Sequence, residues 1–408
     1  MARFKKPGPK AFKCEDCSRS FGNERALGQH LNSKVHAPVI NHDEDIPLIA
    51  RSPPVAFDSP LFKPLVPGPI DFDDKPEKEV EFPRKDTATS KLFILTPLPG
   101  KGQGLIAVQN ISKGTRIISE KPLFRIPRSG IGIEQPALEK AINRKLSLLS
   151  QDGRRAFLSL YNNAPGDSYP LSGIVKTNAL PLGTSASEGG LFPEASRINH
   201  ACIPNCQHTW NDNIGEEIIH AVRHISKGEE ITISYADTGT FESRRRHLKK
   251  LFAFDCTCEL CSLPEAAREV SDNRQSEIKR LDELIGDGSR LFSNPDRCLE
   301  DVHTLLALLE AENISDARVP RAYYDALQIA IAHGDQARAK VFAQRAYEAR
   351  LCCEGDDSPL TARMQSLVAR PADHRLFGTS SRWRLSEKMI PKTLEGEKFE
   401  TWLWRRNR

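Results

Sequence analysis

Alternating apolar and polar residues predict short β-strands in the middle of the chain. Residues 231–235 alternate in this way, with Tyr235 at the end of the run, because successive side chains of a strand point to opposite faces. Upstream, residues 208–211 and 217–224 flank an Asp-Asn-Ile-Gly sequence that is typical of a hairpin turn. We therefore expect a β-rich core in this part of the chain.

Apolar residues three and four positions apart predict helices on both sides of this core. Residues 134–162 carry the pattern, with Asp152 and Gly153 expected between two helices. The pattern returns at residues 299–309, 319–333 and 336–352. Gly334 and Asp335 would separate the last two helices, whose small residues resemble one tetratricopeptide helix pair. The pattern as a whole predicts an α+β protein with a helical C-terminal half.

The N-terminal part of the chain contains two predicted strands and, before them, a Pro-rich segment. Residues 92–111 and 115–124 read as two strands separated by a Ser-Lys-Gly turn. Residues 38–89 are rich in proline and acidic residues, and their apolar residues show no period. Such a segment cannot bury enough apolar surface to fold, so we predict a disordered linker.

The composition indicates a folded protein of more than one domain. Its 408 residues, 39% hydrophobic and 27% charged, can bury a sizeable core. The formal net charge is only +4, so any contact with nucleic acid should be local, as at the basic N-terminus. Neither a signal peptide nor an apolar run long enough for a bilayer is present in this sequence, and we expect no membrane partner.

Most of the cysteines occur in spacings that are typical of metal sites, which fits a reducing compartment. Cys256, Cys258 and Cys261 offer three thiolates within one short segment, and such loops converge readily on a tetrahedral Zn²⁺. A structural zinc site needs a fourth ligand. From spacing alone, the candidates are Cys202, Cys206, His200 and His208.

A second metal site is predicted at the N-terminus. The spacing C-x2-C-x12-H-x5-H is formed by Cys14, Cys17, His30 and His36. Phe12, Phe21 and Leu27 would supply the apolar core of a ββα zinc finger, whose folding free energy would come from the metal. One finger makes too few contacts for specific DNA binding. The x5 spacing resembles fingers that bind structured RNA, and nucleic acid and protein remain alternative partners.

Three motifs together resemble a known enzyme family. The sequence RINHACIPN at residues 197–205 is followed by GEEITISY at 228–235 and then by Cys-x-Cys-x2-Cys. In this order the motifs resemble the core of SET-domain protein-lysine methyltransferases, in particular the branch that includes the SET-and-MYND proteins. The resemblance covers residues 91–264. It implies a SET fold, S-adenosylmethionine as cofactor, and methylation of a lysine in a substrate protein.

The resemblance also implies roles for individual residues. The implied cofactor-binding residues are Gly102, Gly104, Asn178, Asn199, His200, Tyr235 and Phe254. Tyr235 would also be the catalytic residue, aligning the amine with the transferring methyl. Gly102 and Gly104 resemble the family's G-x-G, where missing side chains let the backbone approach the cofactor. Residues 173–178 resemble a strand of the family, with Asn178 either facing the cofactor or capping a turn. The implied zinc ligands are Cys202, Cys256, Cys258 and Cys261.

One departure from the SET-and-MYND pattern limits the comparison. No cysteine occurs between Gly104 and Cys202, so neither the MYND zinc module nor a partner inferred from it is expected. The rival to the enzyme is an inactive SET-domain adaptor that recruits partners through its finger and helical tail, and the intact motif residues favour the enzyme. A small-molecule or RNA methyltransferase is disfavoured, because such enzymes usually carry a Rossmann-type glycine loop.

These patterns predict a full domain order. The predicted domains are a Cys2His2 zinc finger (1–37), a Pro-rich disordered linker (38–89), a SET domain (90–238), a post-SET zinc segment (239–265), a helical tetratricopeptide-like region (266–355) and a C-terminal tail (356–408). We expect a monomer that holds two Zn²⁺ ions, uses S-adenosylmethionine, and acts on a protein lysine, histone or otherwise. The expected location is the nucleus, with the cytoplasm as an additional location.

Overall fold

The computed structural model describes residues 12–13, 20–21, 92–127, 135–183, 186–236 and 239–406. The chain divides into two compact units, Met1–Ala50 and Arg51–Arg408. In the first unit, strands β1 (Phe12–Lys13) and β2 (Ser20–Phe21) pair antiparallel. The predicted finger ligands Cys14, Cys17, His30 and His36 and the predicted linker at 38–89 lie outside the described residues.

Three small sheets form the β-rich part of the second unit. Their strands are β3 (Phe93–Leu98), β4 (Gly102–Ala107), β5 (Arg116–Glu120), β6 (Arg125–Pro127), β7 (Leu180–Pro181), β8 (Glu188–Gly190), β9 (Asn199–His200), β10 (Cys206–Asn211), β11 (Glu216–Ala221) and β12 (Glu230–Ile233). The strand orders are β10-β11-β5, β3-β4-β12-β9 and β6-β8-β7. The β9–β12 pair is parallel, and the other pairs in these sheets are antiparallel.

The helices follow and partly interrupt these sheets. They are α1 (Gln135–Leu148), α2 (Gln151–Leu158), α3 (Pro170–Asn178), α4 (Phe241–Phe252), α5 (Glu265–Ile285), α6 (Gly288–Ser293), α7 (Pro295–Ala311), α8 (Arg318–Ala332), α9 (Gln336–Glu354), α10 (Pro359–Ala369) and α11 (Gly396–Leu403). The predicted α+β class is confirmed. Among the described residues, no helix combines the length and apolar character needed to cross a bilayer.

The main β core is built from the alternating apolar positions. Its most deeply buried side chains are Leu105, Ile111, Phe192, Ile198, Ile219, Ile225 and Ile231. The predicted hairpin is confirmed as β10 and β11, joined at Asp212–Gly215. The predicted strand at 231–235 is confirmed as β12, although it ends at Ile233, so that Tyr235 lies just beyond the strand. This position frees Tyr235 from the ladder and brings it to the sheet edge.

Three details of the sequence prediction are wrong. The single strand expected over residues 92–111 is a hairpin, β3 and β4, because the chain reverses at Pro99 and at Gly100, whose φ of +72° suits glycine. The strand expected at 173–178 is the helix α3, which begins with Pro170 in the first turn, where proline is favoured.

The third error concerns the boundary between α1 and α2. Asp152 and Gly153 were expected between the two helices, but both lie inside α2. Ser150 is the N-cap, and its Oγ accepts a hydrogen bond from the Gly153 N–H at 3.1 Å. The cap satisfies a backbone donor that the first helical turn leaves without a partner, so the break falls two residues earlier than the glycine suggested.

The predicted helix pair in the C-terminal half is confirmed as α8 and α9. Gly334 adopts a φ of +79° between them, and Asp335 caps α9 by accepting a hydrogen bond from the Arg338 N–H at 3.0 Å. Alanines that are fully buried on the two helices are Ala326, Ala330, Ala332, Ala337, Ala339, Ala343 and Ala346. Trp404, at the end of α11, packs its ring 4.8 Å from that of Phe342 on α9. The predicted tail is therefore packed against the helical pair, whose tetratricopeptide likeness stays a prediction.

An ion pair joins the sheet β5-β11-β10 to the segment after α9. The Arg116 guanidinium donates to both carboxylate oxygens of Asp357, at 2.9 and 2.5 Å, and the Asn211 side chain donates to the same carboxylate at 3.1 Å. Gly355 permits this approach, because its φ is +85° and a Cβ there would lie 2.6 Å from the Arg116 Nη2. The contact fixes the helical region to this sheet.

We predict that Asp357→Asn lowers the free energy of unfolding by about 1 kcal/mol at neutral pH, since the pair is partly exposed and screened. The hydrogen bond from Arg116 holds the pKa of Asp357 below its usual value. The stabilisation is therefore present above the ordinary carboxyl pKa and is lost as pH falls through the lowered one. Urea unfolding of both proteins along a pH series measures this difference.

Asp356→Asn is the matched control, because Asp356 is the exposed neighbour of Asp357. Its unfolding free energy should equal that of the wild type. A deficit of Asp357→Asn that stays constant from neutral pH into acid would contradict the assigned ion pair.

Candidate active site and metal centre

Four cysteines from two distant segments converge in the second unit. One ligand atom from each of Cys202, Cys256, Cys258 and Cys261 lies within 4.8 Å of the others. The Cys202 Sγ is 3.5 Å from that of Cys261 and 4.0 Å from that of Cys256. Tetrahedral Zn²⁺ with 2.3 Å bonds separates its sulfur ligands by about 3.8 Å, so this donor set fits zinc. Cys206, the other candidate thiol, is buried in the β core instead.

A buried arginine accompanies the cysteine cluster. Arg244 of α4 is 4% exposed and donates to the Gly239 carbonyl. Burial lowers its pKa, but the charges of Cys202 and Cys261 outweigh this and raise it. Four thiolates around Zn²⁺ carry net negative charge, which a guanidinium offsets. Sequence reasoning missed Arg244, although its position four residues before the buried Leu248 marks the inner face of the helix.

His200 connects the cluster to Tyr235. Its Nδ1 accepts a hydrogen bond from the Tyr235 N–H at 3.0 Å, so the ring proton is on Nε2, which lies 3.3 Å from the Cys202 Sγ. Burial lowers the pKa of His200 to about 4, and the imidazole is neutral at physiological pH. Both ring nitrogens are therefore engaged in holding neighbouring groups.

Tyr235 lies beside the parallel pair β9 and β12. Its hydroxyl donates to the Ile198 carbonyl at 2.5 Å, and its ring centroid is 4.9 Å from that of Phe252. Burial, together with the charge of Glu230, raises its pKa well above the ordinary value. The phenol therefore stays protonated and cannot serve as a base near neutral pH.

A cleft that is partly open to solvent lies next to Tyr235. It is lined by residues 176–181, Ala195, Ser196, Ile198, His208, residues 233–235 and Phe252. Of the predicted site residues, Asn178 and Tyr235 therefore border this cleft. Phe254 lies on the other side of His200, with ring centroids 6.1 Å apart.

The predicted G-x-G and Asn199 meet at the edge of the four-stranded sheet. Asn199 donates to the Gln103 carbonyl at 3.1 Å and to Glu230 at 2.9 Å. A Cβ at Gly104 would lie 2.7 Å from the Asn199 Nδ2, so a side chain there would displace the amide. Gly102 has a φ of +73° and nothing within 4 Å of a Cβ, which leaves open space beside the backbone.

Asn178 ends α3, and its amide nitrogen is fully used. It donates to the carbonyls of Tyr161 at 2.6 Å and Ile174 at 2.7 Å. This arrangement matches the capping alternative for the nitrogen, while the residue still borders the cleft. Its contact with a cofactor stays a prediction.

Sequence reasoning missed two residues of the cleft. Phe252 forms a wall against Tyr235, and it closes the apolar pattern of α4. His208 was considered only as a zinc candidate, but it lies in β10 with its Nδ1 2.9 Å from Glu217. The sequence signal that could have identified this pair is a histidine and a glutamate on the two strands of a predicted hairpin.

The chain is similar to known proteins over much of its length. A SET domain family model matches residues 102–236, and a model described as a double-stranded RNA-binding zinc finger matches residues 11–37. The chain is 32% identical to histone-lysine N-methyltransferase set5 of Schizosaccharomyces pombe over 289 residues, covering 70% of this chain and 86% of that protein. It is 37% identical to human histone-lysine N-methyltransferase SMYD1 over 105 residues, or 22% of this chain and 21% of SMYD1.

We predict that Cys202→Ser releases one zinc ion per chain while Cys206→Ser retains the full complement. Both thiols are buried, so the substitutions disturb packing to a similar degree, but only Cys202 belongs to the convergent set. Metal analysis by mass spectrometry of the purified proteins measures the difference. Loss of zinc from Cys206→Ser with retention in Cys202→Ser would overturn this ligand set.

Proposed function

Because the chain belongs to the SET-domain family of protein-lysine methyltransferases, we propose that it methylates lysine side chains of histones in the nucleus. The support is a match that covers 86% of a histone-lysine methyltransferase from Schizosaccharomyces pombe. The observation that carries the proposal is the buried hydroxyl of Tyr235 at the cleft, next to the meeting of β9 and β12. The rival reading as an inactive adaptor has no support in the comparisons.

S-adenosylmethionine, when bound, supplies an electrophilic methyl group on a positively charged sulfur. We assign its binding to Gly102, Gly104, Asn178, Asn199, His200, Tyr235 and Phe254. The open space beside Gly102 and the tight contact between Gly104 and Asn199 fit such a ligand, since a side chain at either glycine would fill or distort the backbone cradle.

Tyr235 would align the amine rather than remove its proton. Its hydroxyl hydrogen is committed to the Ile198 carbonyl, so the oxygen keeps its lone pairs for an amine hydrogen. With its pKa raised by burial, the phenol remains an intact, neutral hydrogen-bonding group. Holding the nucleophile in line in this way is a major source of rate.

The apolar walls of the cleft would favour a neutral lysine amine. Lysine has an ordinary pKa of about 10.4, so only about one amine in a thousand is neutral near pH 7. Phe252, Ile198 and Leu180 border the cleft, and burial against them disfavours the charged ammonium. The site therefore both aligns the substrate amine and promotes loss of its proton.

We assign two zinc ions to the chain, both structural. The set of Cys202, Cys256, Cys258 and Cys261 would use all four tetrahedral positions and leave none for substrate. Its contribution would be to pin the segment that carries Phe252 and Phe254 against β9. The second ion would belong to the finger, on Cys14, Cys17, His30 and His36. We further assign the protein a monomeric state.

For the finger we infer contact with double-stranded RNA, because the family model that matches residues 11–37 describes that activity. We predict that the full chain binds a short RNA duplex, with affinity that falls as salt rises, and that Cys14→Ser abolishes this binding. Fluorescence anisotropy with matched RNA and DNA duplexes measures it. Equal affinity of Cys14→Ser and wild type for the RNA would contradict the inference and favour a protein partner.

For the catalytic site we predict that Tyr235→Phe lowers methyl transfer to core histones by about a hundredfold, or about 3 kcal/mol, with cofactor affinity nearly unchanged. The variant keeps the ring and removes the oxygen. Gly104→Val should instead weaken cofactor binding, because it would displace Asn199. Calorimetry for binding and mass spectrometry of methyl-lysine for turnover measure the two effects.

Tyr161→Phe is the matched control, since the Tyr161 side chain is 68% exposed and its hydroxyl lies outside the residues that line the cleft. It should keep wild-type turnover. Full activity of Tyr235→Phe would remove this tyrosine from the mechanism. A wild-type protein that binds cofactor but never methylates would favour the adaptor.

A further inference from the structure

A histidine of the cleft has no part in the steps above. His208 lies on β10, is 8% exposed, and borders the cleft together with Ile233, Ser234 and Tyr235. Tyr235 and His208 thus reach the same space from two neighbouring elements, the segment after β12 and strand β10.

Glu217 fixes the orientation of the His208 ring. The His208 Nδ1 is 2.9 Å from Oε1 of Glu217, which is fully buried on β11. In the ladder, Glu217 pairs with Trp210. His208 lies two residues before Trp210 on the same face of β10, so His208 and Glu217 are diagonal neighbours across the two strands. With Glu217 ionised, its Oε1 accepts a hydrogen bond from Nδ1–H, and Nε2 is then the accepting ring nitrogen. Nδ1 is the ring nitrogen engaged by Glu217, and the His208 side chain borders the cleft.

Burying the Glu217 carboxylate is energetically unfavourable, and a structural role alone does not account for it. Its second oxygen, Oε2, has no hydrogen-bond partner within the described part of the chain. Burial raises the pKa of its carboxyl, and the hydrogen bond from His208 opposes that rise. A half-satisfied buried pair is often no more stabilising than packed apolar residues of the same size. A role in the cleft explains the pair better than stability does.

The geometry points to His208 as the acceptor of the proton that the substrate lysine must lose before methyl transfer, with Glu217 as its positioning residue. The inference rests on the proposed function and deepens it. Neither Tyr235, whose hydrogen is committed to Ile198, nor His200, whose two nitrogens are engaged, can take this proton.

The proton transfer balances without a further reactant. One proton passes from the lysine ammonium to His208 Nε2, directly or across one water, which leaves a neutral amine and an imidazolium whose charge Glu217 offsets. The amine nitrogen then forms a bond to the methyl carbon while the carbon–sulfur bond breaks and its electron pair stays on sulfur. The product is a methylated ammonium and a neutral thioether, and His208 returns its proton to solvent.

Other charged groups surround the pair and would influence its titration. They are Glu120 opposite Glu217 on β5, Arg197 near Glu120, and Lys176 among the residues that line the cleft, and the neutral phenol of Tyr235 lies beside them. Because several of these carry charge, the test compares variants with one another along a pH series and does not depend on an absolute pKa.

His208→Asn is the decisive variant, because the Asn amide can still donate to Glu217 while the accepting nitrogen is lost. We expect single-turnover methylation of core histones to fall about a hundredfold at neutral pH. The deficit should shrink as pH rises, since hydroxide and the increasing fraction of neutral lysine replace the missing acceptor. Cofactor affinity, measured by calorimetry on the same protein, should not change.

Glu217→Gln and His220→Asn complete the design. Glu217→Gln keeps a neutral partner for His208 and should give a smaller deficit with the same dependence on pH. His220 is buried at the back of the same hairpin, beside Arg116, and His220→Asn should leave the pH profile of turnover unchanged.

The outcomes separate this inference from the proposed function. If the wild type methylates no histone, the proposed function fails. If the wild type is active and His208→Asn matches it at every pH, the proton-acceptor role fails while the methyltransferase stands. A deficit of His208→Asn that is equal at all pH values would likewise overturn the role and assign His208 to packing.

Discussion

The parallel pairing of β9 with β12 is the contact on which the candidate site depends. It sets Thr232 opposite Asn199 and Ile233 opposite His200. Only with this register can the Tyr235 backbone donate to the His200 ring and its hydroxyl reach the Ile198 carbonyl. A slip of one residue would turn each side chain to the other face of the sheet. Two strands of a few residues thus determine where Asn199, His200 and Tyr235 meet.

The cysteine cluster extends this pairing in one direction. Cys202 follows β9 by two residues, so any ion held by the four thiolates is tied to the same register. His200 contacts Cys202 with one nitrogen and the Tyr235 backbone with the other. The cysteine cluster and the tyrosine are therefore separated by a single ring, and the buried Arg244 places a positive charge beside the thiols. An ion held by the four cysteines would support the proposed site without taking part in its chemistry.

Local patterns made part of this arrangement predictable from sequence. The hairpin of β10 and β11 follows from alternation around a four-residue turn, and the cysteines that converge are marked by their spacing. The helix α3 was not predictable in the same way, because the β-branched Ile174 and Val175 favour a strand. Burial of both residues in a core shared with α1 overrides that preference. Contacts across a ladder, such as His208 with Glu217, depend on register, which the amino-acid order does not display.

In the proposed reaction a substrate lysine must lose a proton, and Tyr235 cannot accept it. A lysine amine must be neutral to attack, yet Tyr235 has a raised pKa and a committed hydrogen. Both ring nitrogens of His200 are already engaged, Nδ1 with the Tyr235 N–H and Nε2 with the Cys202 Sγ. Of the residues that line the cleft, His208 is the one that joins a ring nitrogen able to accept a proton with a buried carboxylate to offset the charge. In the proposed mechanism, alignment and proton removal are divided between Tyr235, which follows β12, and His208, which lies on β10.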